Sequence, residues 1–201
     1  MIKTIIFDLG NVIVPFDFKR GYTSMADLIG MPPEEVRQRI ISADLMRPFE
    51  SGNMESREFV DRICTALGHS IDHDTFSRLW SSIFLPEANF TEGFVSGLGR
   101  NHRLLILSNT NDLHWNMIKS TYPVVSRFHD FVLSYKVGAM KPLPEIYQAA
   151  IQMAGCRPEE CFFTDDVADY VESARNHGID AVQFQSAAQI EQELRSRGID
   201  C

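Results

Sequence analysis

Short apolar runs recur along the chain, each closing on a polar residue or a turn. Residues 4–7 read TIIF and stop at Asp8; 103–108 read RLLILS, 131–134 FVLS, 161–165 CFFTD and 181–184 AVQF. Each is apolar on both parities, as a strand covered on both faces must be. Between them, helical periodicity runs over 111–120, 143–154 and 167–177, and over 187–197, where Gly198 supplies a stop signal. Strand alternating with helix predicts an α/β fold: a parallel, five-stranded, Rossmann-like sheet with right-handed crossovers.

The stretch 17–86 breaks this rhythm. It has no comparable β run. Helical periodicity appears over 34–41, 56–67 and 75–84, punctuated by Gly30, Gly52 and Gly68 and by Pro32, Pro33, Pro48 and Pro86. The expected organisation is therefore a discontinuous α/β core, 1–16 and 87–201, carrying an all-helical insert at 17–86. No internal repeat or low-complexity tract interrupts either part.

In a doubly wound sheet, ligands bind beyond the carboxyl ends of the strands. Asp8-Leu9-Gly10-Asn11 follows the first strand and Ser108-Asn109-Thr110-Asn111 the second. Lys141-Pro142 lies in the 135–144 loop after the third, and Asp165-Asp166 ends the fourth. Taken singly, each has an ordinary explanation. Asp8 suits an Asx turn, Asp165-Asp166 and Ser108-Asn109 suit helix caps, and Lys141 suits a solvated loop. Together they place three carboxylates, a lysine and a hydroxyl/amide turn at one edge. Clustered carboxylates repel unless a proton or cation intervenes, and Mg²⁺ fits a sparse oxygen site. Ser108 and the N–H groups near 109–111 suit phosphate oxygens, and Lys141 adds a point charge. An aspartate in such a setting can attack phosphorus, giving an aspartyl-phosphate that water hydrolyses.

Composition narrows the partners. The 201 residues are 44 % hydrophobic, enough for a sizeable core. The net charge of −8 offers no basic footprint for nucleic acid or an anionic membrane. A small phosphorylated metabolite, bound by a monomer, is the expected partner. Cys64, Cys156, Cys161 and Cys201 show no CxxC or zinc spacing. With no leader or membrane segment visible, they read as reduced thiols of a cytoplasmic protein, Cys201 being terminal. His69 and His73 stand at i, i+4, but Gly68 and Ser70 mark a turn there, which argues against a metal pair. His114 and Trp115 read as packing or capping near the site edge. Phe16, Phe18, Phe49, Trp80 and Phe84 read as packing of the insert or its hinge.

The four strand-end segments resemble, in order and spacing, the four motifs of the haloacid dehalogenase superfamily, and 17–86 resembles that superfamily's helical cap. Asp8-Leu-Gly-Asn-Val12, Ser108-Asn-Thr-Asn111 and Gly138-Ala-Met-Lys-Pro142 resemble a bacterial subgroup containing a glucose-1-phosphate phosphatase and related to the phosphatase domain of soluble epoxide hydrolase. The resemblance implies a sheet order of 5-4-1-2-3 and an Mg²⁺-dependent phosphatase acting on a sugar phosphate, a hexose 1-phosphate first. It implies that Asp8 is the nucleophile, that the Gly10 carbonyl and Asp166 bind metal, and that Asp165 supports them or binds through water. It also implies that Ser108 and Asn109 bind phosphate while Lys141 orients both Asp8 and phosphate.

The chain departs from the family pattern at Gly10. Most family phosphatases carry there an Asp that protonates the leaving oxygen, a role worth about 10²–10⁴-fold. Either the leaving group is comparatively acidic, as an anomeric oxygen is, or another residue supplies the proton, Asp17 being a candidate. The remaining readings are a non-catalytic phosphate sensor or partner-binding module, and a dehalogenase, which the retained Asp165-Asp166 pair disfavours. Tyr170 stands near where relatives carry Asn, with no account from the sequence.

Overall fold

The computed structural model describes residues 1–200 of the chain, so Cys201 lies outside the described residues. β1 (Thr4–Phe7) is buried along its length and pairs in parallel with β2 (Arg103–Ser108) on one side and β4 (Cys161–Asp165) on the other. β3 (Asp130–Leu133) pairs with β2, and β5 (Asp180–Gln183) with β4. The order β3-β2-β1-β4-β5 is the expected one read from the opposite edge. β1, β2 and β4 have the bounds that the apolar runs predict; β3 and β5 begin one residue earlier.

After β1 the insert forms five helices: α1 (Phe18–Ile29), α2 (Pro33–Ser42), α3 (Met46–Glu50), α4 (Ser56–Leu67) and α5 (His73–Trp80). The sheet is then covered by α6 (Glu92–Gly99), α7 (Asp112–Thr121), the short α8 (Ser134–Val137), α9 (Pro144–Ala154), α10 (Ala168–Asn176) and α11 (Ala187–Ser196). No helix among the described residues is long and apolar enough to cross a membrane.

The period-two alternation of side chains sorts β1 between two layers. Ile5 and Phe7 pack with Leu104, Ile106, Val95 of α6 and Ile190 of α11; Ile6 packs on the other face with Leu105, Phe163, Ile146 and Tyr147. The helical insert has its own apolar cluster. Phe49 and Phe59 stack at 4.1 Å between centroids, and Phe76 and Trp80 close the group. Leu113 of α7 joins that cluster from the sheet side. Two chain crossings tie the insert to the core, through Asp17 N–H to Ile83 O at 2.8 Å and Leu85 N–H to Pro15 O at 2.8 Å.

Four helices depart from the expected pattern. α6 contains Gly93, Gly97 and Gly99, each costing roughly 1 kcal/mol against Ala in a helix. It forms because Thr91 caps it and Val95 and Leu98 are buried. α1 contains Gly21, where a Cβ would stand 2.7 Å from Ile83, so close packing takes precedence over propensity. α8 adds one turn inside the expected 135–144 loop. The helix expected over 75–84 ends at Trp80 and tightens to a 3₁₀ turn over Ser81–Ile83.

Candidate active site

The register of β1 sets the centre of the site. Phe7 pairs with Ile106 and with Thr164, so Asp8, one residue on, stands between Leu107 and Asp165. Its N–H donates to Thr164 O at 2.9 Å. Lys141 enters from the loop after α8 with its side chain 1 % exposed. Its ammonium has three donors and uses all of them: Asp8 Oδ1 at 2.6 Å, Asp165 Oδ2 at 2.5 Å and Leu107 O at 3.1 Å.

Asp165 is fully buried, and its Oδ1 accepts the Val167 N–H at 2.9 Å. Both of its oxygens are therefore committed within the protein. Asp166 is half-buried and spends Oδ2 on Asn11 Nδ2 at 3.0 Å. Asp8, Asp165 and Asp166 offer ligand oxygens within 4.8 Å of one another. One ammonium faces these three carboxylates. Burial pushes Asp8 well above the usual carboxylate range, Lys141 opposes this and Asp165 adds to it. Burial would lower Lys141, but its two carboxylate partners outweigh that and hold it charged. A further cation beside Asp8 would favour its ionised form, and this oxygen-only donor set with excess negative charge suits a hard divalent ion.

The second strand end holds the lysine in place. Asn109 Oδ1 accepts the Lys141 N–H at 2.7 Å and Asn109 Nδ2 donates to Lys141 O at 3.0 Å. The amide expected to bind phosphate is thus taken up by the lysine's main chain, leaving the Asn109 backbone N–H for an anion. Ser108 is buried, and its Oγ has only a long contact, 3.4 Å, to Asn109 O. Tyr170 gains a physical account. Its ring centroid lies 5.2 Å from Lys141 Nζ, and its hydroxyl is 3.4 Å from Asn109 Nδ2. The ring thus covers the ammonium and favours its charge.

The turn after β1 depends on two residues. Asn11 adopts φ +57°, which Asn tolerates better than most residues. Its side chain donates to Asp166 and accepts the Phe16 N–H at 3.3 Å. At Gly10, an added Cβ would stand 2.8 Å from Phe16 Cε1. The ring of Phe16 therefore occupies the space a side chain at position 10 would need.

A cavity of about 60 Å³ lies beside the sheet edge, walled by Gly10, Phe16, Glu50, Ser108, Asn109 and His114. Glu50, at the end of α3, comes from the insert, and burial pushes its carboxyl up to about 7. Its helix is moored to the core by Ser134 Oγ, which donates to Glu50 O at 2.6 Å. His114 is buried, with Nε2 3.3 Å from Trp80 O and its ring stacked on Trp80; burial pushes it down to about 4. Asp17 is elsewhere. It caps α1 by accepting the Lys19 N–H at 2.9 Å and lines a separate outer cavity of about 1010 Å³. His69 and His73 join no cluster of three potential ligands among the described residues. Cys64, Cys156 and Cys161 are free thiols. Sequence reasoning missed Glu50 and the tie between Asn11 and Asp166; only the latter left a signal, an Asn just past a strand end where a turn must form.

Residues 2–178 match the family model of the haloacid dehalogenase-like hydrolases. The chain is 25 % identical over 201 residues to a D-ribitol-5-phosphate phosphatase of Bacteroides thetaiotaomicron, covering 96 % of this chain and 97 % of the relative. It is 26 % identical over 211 residues to a phosphatase of Mycobacterium tuberculosis, covering 94 % and 89 %. Among solved structures, a haloacid dehalogenase family enzyme of B. thetaiotaomicron in complex with magnesium and inorganic phosphate superposes with a TM-score of 0.82 at 26 % identity, over 93 % of this chain and 96 % of that one.

Proposed function

We propose a phosphatase: the chain belongs to the haloacid dehalogenase-like hydrolases, and its sheet edge suits Mg²⁺-dependent hydrolysis of a small phosphomonoester through an aspartyl-phosphate on Asp8. One observation carries this reading. Three carboxylates from two adjacent strand ends converge within 4.8 Å, and one buried lysine is bonded to two of them. The magnesium and phosphate seen together in the B. thetaiotaomicron enzyme support it.

Asp8, Asp166 and the Gly10 carbonyl would hold the metal, and Asp165 fixes Lys141 beside them. The metal, when bound, neutralises phosphoryl oxygens so that one anion can approach another. Ser108 Oγ and the Asn109 N–H would bind the phosphoryl group, while the Lys141 ammonium, held by Asp8, Asp165 and Leu107 O, would orient Asp8 and supply the neighbouring positive charge for in-line attack. Water then hydrolyses the aspartyl-phosphate.

The substrate class is a small sugar or polyol phosphate. The curated relative acts, by name, on D-ribitol 5-phosphate, whose leaving oxygen is a primary alkoxide. A hexose 1-phosphate, expected from the sequence, has a more acidic leaving group and suits Gly10 as well. The helical insert walls one side of the cavity and selects between them.

The test is phosphate release from glucose 1-phosphate, ribitol 5-phosphate, glucose 6-phosphate, a nucleoside monophosphate and p-nitrophenyl phosphate, with Mg²⁺ and with EDTA. Turnover that EDTA abolishes and Asp8→Asn removes is the expected result. Turnover that survives either treatment overturns the reading, as does tight phosphate binding without turnover on any member.

A further inference from the structure

We propose that Glu50 is the general acid and base of this site, acting from the helical insert in place of the side chain absent at Gly10. The inference rests on the phosphatase reading and deepens it. Four observations carry it. Gly10 and Glu50 wall the same cavity as Ser108 and Asn109, so the insert brings an acidic residue to the cavity that borders the phosphoryl site. Phe16 fills the space over Gly10, which bars an acid from that position and leaves the other wall to supply it. The Ser134 hydroxyl holds the Glu50 main chain at 2.6 Å while also accepting the Thr110 N–H at 2.9 Å, so the insert is pinned to the second strand-end motif at this residue. Finally, the Glu50 carboxyl has no hydrogen-bond or ion-pair partner among the described residues, although neighbouring acids on the sheet side are committed. A carboxyl kept half-buried and unpartnered beside an anion site is free to exchange a proton with a ligand.

The surroundings favour the protonated form. The charged and titratable groups around it are Arg47 on its own helix, Lys141 on the wall of a larger adjoining cavity of about 500 Å³, Tyr135 and Lys136 on α8, which packs against its helix, and buried, neutral His114 from α7. None pairs with it, and burial pushes its carboxyl up to about 7, so near neutral pH it exchanges between the protonated and ionised forms. Asp17 is spent on capping α1 and lines a different cavity.

The steps balance as follows. An Asp8 oxygen forms a bond to phosphorus while the bond from phosphorus to the leaving oxygen breaks, its electron pair staying on that oxygen. The Glu50 carboxyl gives its proton to the same oxygen, releasing an alcohol and leaving a carboxylate. Water then attacks the phosphorus of the aspartyl-phosphate. Glu50 takes a proton from that water, and the bond between phosphorus and Asp8 breaks. The products are one alcohol and one phosphate, with both side chains restored.

The test compares Glu50→Gln with the unmodified protein in first-turnover experiments with Mg²⁺, using an alkyl phosphomonoester such as ribitol 5-phosphate and, separately, p-nitrophenyl phosphate. Nitrophenolate leaves without a proton, so its release reports the attack alone. In the variant, alcohol release from the alkyl ester should slow by on the order of 10²-fold or more, nitrophenol release should change less than about threefold, and phosphoenzyme should accumulate. The decline of the alkyl-ester rate with rising pH should disappear as well. An alkyl rate within about threefold of the unmodified protein overturns the proposal. So does a loss of equal size on both substrates, which would mark Glu50 as structural; Glu50→Asp gives a second check should Glu50→Gln fold poorly. An unmodified protein inactive on every phosphomonoester defeats the phosphatase reading instead.

Discussion

The two walls of the cavity are built on opposite plans. On the sheet side nearly every polar atom is spoken for: the Lys141 ammonium makes three bonds, Asp165 uses both oxygens, and the Asn109 amide grips the lysine's main chain at two points. On the insert side Phe16, Phe18, Ile83 and Phe84 are apolar, His114 is held neutral, and one carboxyl, Glu50, stands without a partner. A wall whose few unused donors, Ser108 Oγ and the Asn109 N–H, stand side by side is suited to holding one invariant group. A wall of oily surface and a single uncommitted acid is suited to distinguishing what is attached to that group. Under the proposed function, the sheet would carry the phosphoryl chemistry and the insert the choice of leaving group.

Breaking the sheet wall should have the largest effects. Asp8→Asn removes the proposed nucleophile, so phosphate release in the presence of Mg²⁺ should fall by on the order of 10⁴-fold or more, with an unchanged circular dichroism spectrum. Lys141→Met leaves Asp8 and Asp165 buried face to face. Urea unfolding of that variant should show a loss of roughly 3–5 kcal/mol, the range for removing one partner of a buried charge cluster.

The insert wall should be gentler and should respond to acid. Burial pushes His114 down to about 4 from an ordinary 6.5. A depressed value means that its contribution is fully present above pH 6.5 and is lost as pH falls toward 4. The full difference is about 3 kcal/mol by linkage. Melting curves between pH 7 and 4 should therefore fall less steeply for His114→Phe than for the unmodified protein. A parallel pair of curves would mean that the contact between α7 and Trp80 does not sense acid.

The smallest expected effect sharpens the boundary between the walls. Gly10→Ala drives a methyl into Phe16 and should cost about 1–3 kcal/mol in chemical denaturation, the range for overpacking. In a Phe16→Ala background most of that cost should vanish, a coupling that a double-mutant cycle reads directly. Independent effects would show that the ring yields freely and that Gly10 has another reason.

The two walls also differ in how far the sequence revealed them. β1, β2 and β4 are buried on both faces, so their apolar runs mark their bounds, and the polar residues at their ends must fall at one sheet edge. That geometry follows from strand periodicity alone. Glu50 had no such signal. In the sequence it is a charged residue beside Pro48 and Ser51, with nothing to separate it from a solvated helix face. Its place depends on how a five-residue helix docks against Ser134, 84 residues away. Tyr170 was opaque for the same reason, since its role lies in its distance to a lysine on another loop. Local pattern also misled at α1 and α6, where capping and burial override the glycines.

The Lys141 ammonium has a consequence for how the molecule assembles. It joins residues 133, 34 and 24 positions distant in the chain, from three neighbouring strand ends. Contacts of such long span bear the full entropy of loop closure and are completed only when the intervening segments have found their places. Half a sheet offers no such junction. Affinity for inorganic phosphate should therefore appear late in refolding, after the far-ultraviolet signal has recovered, making the anion a reporter of the finished chain rather than of its parts.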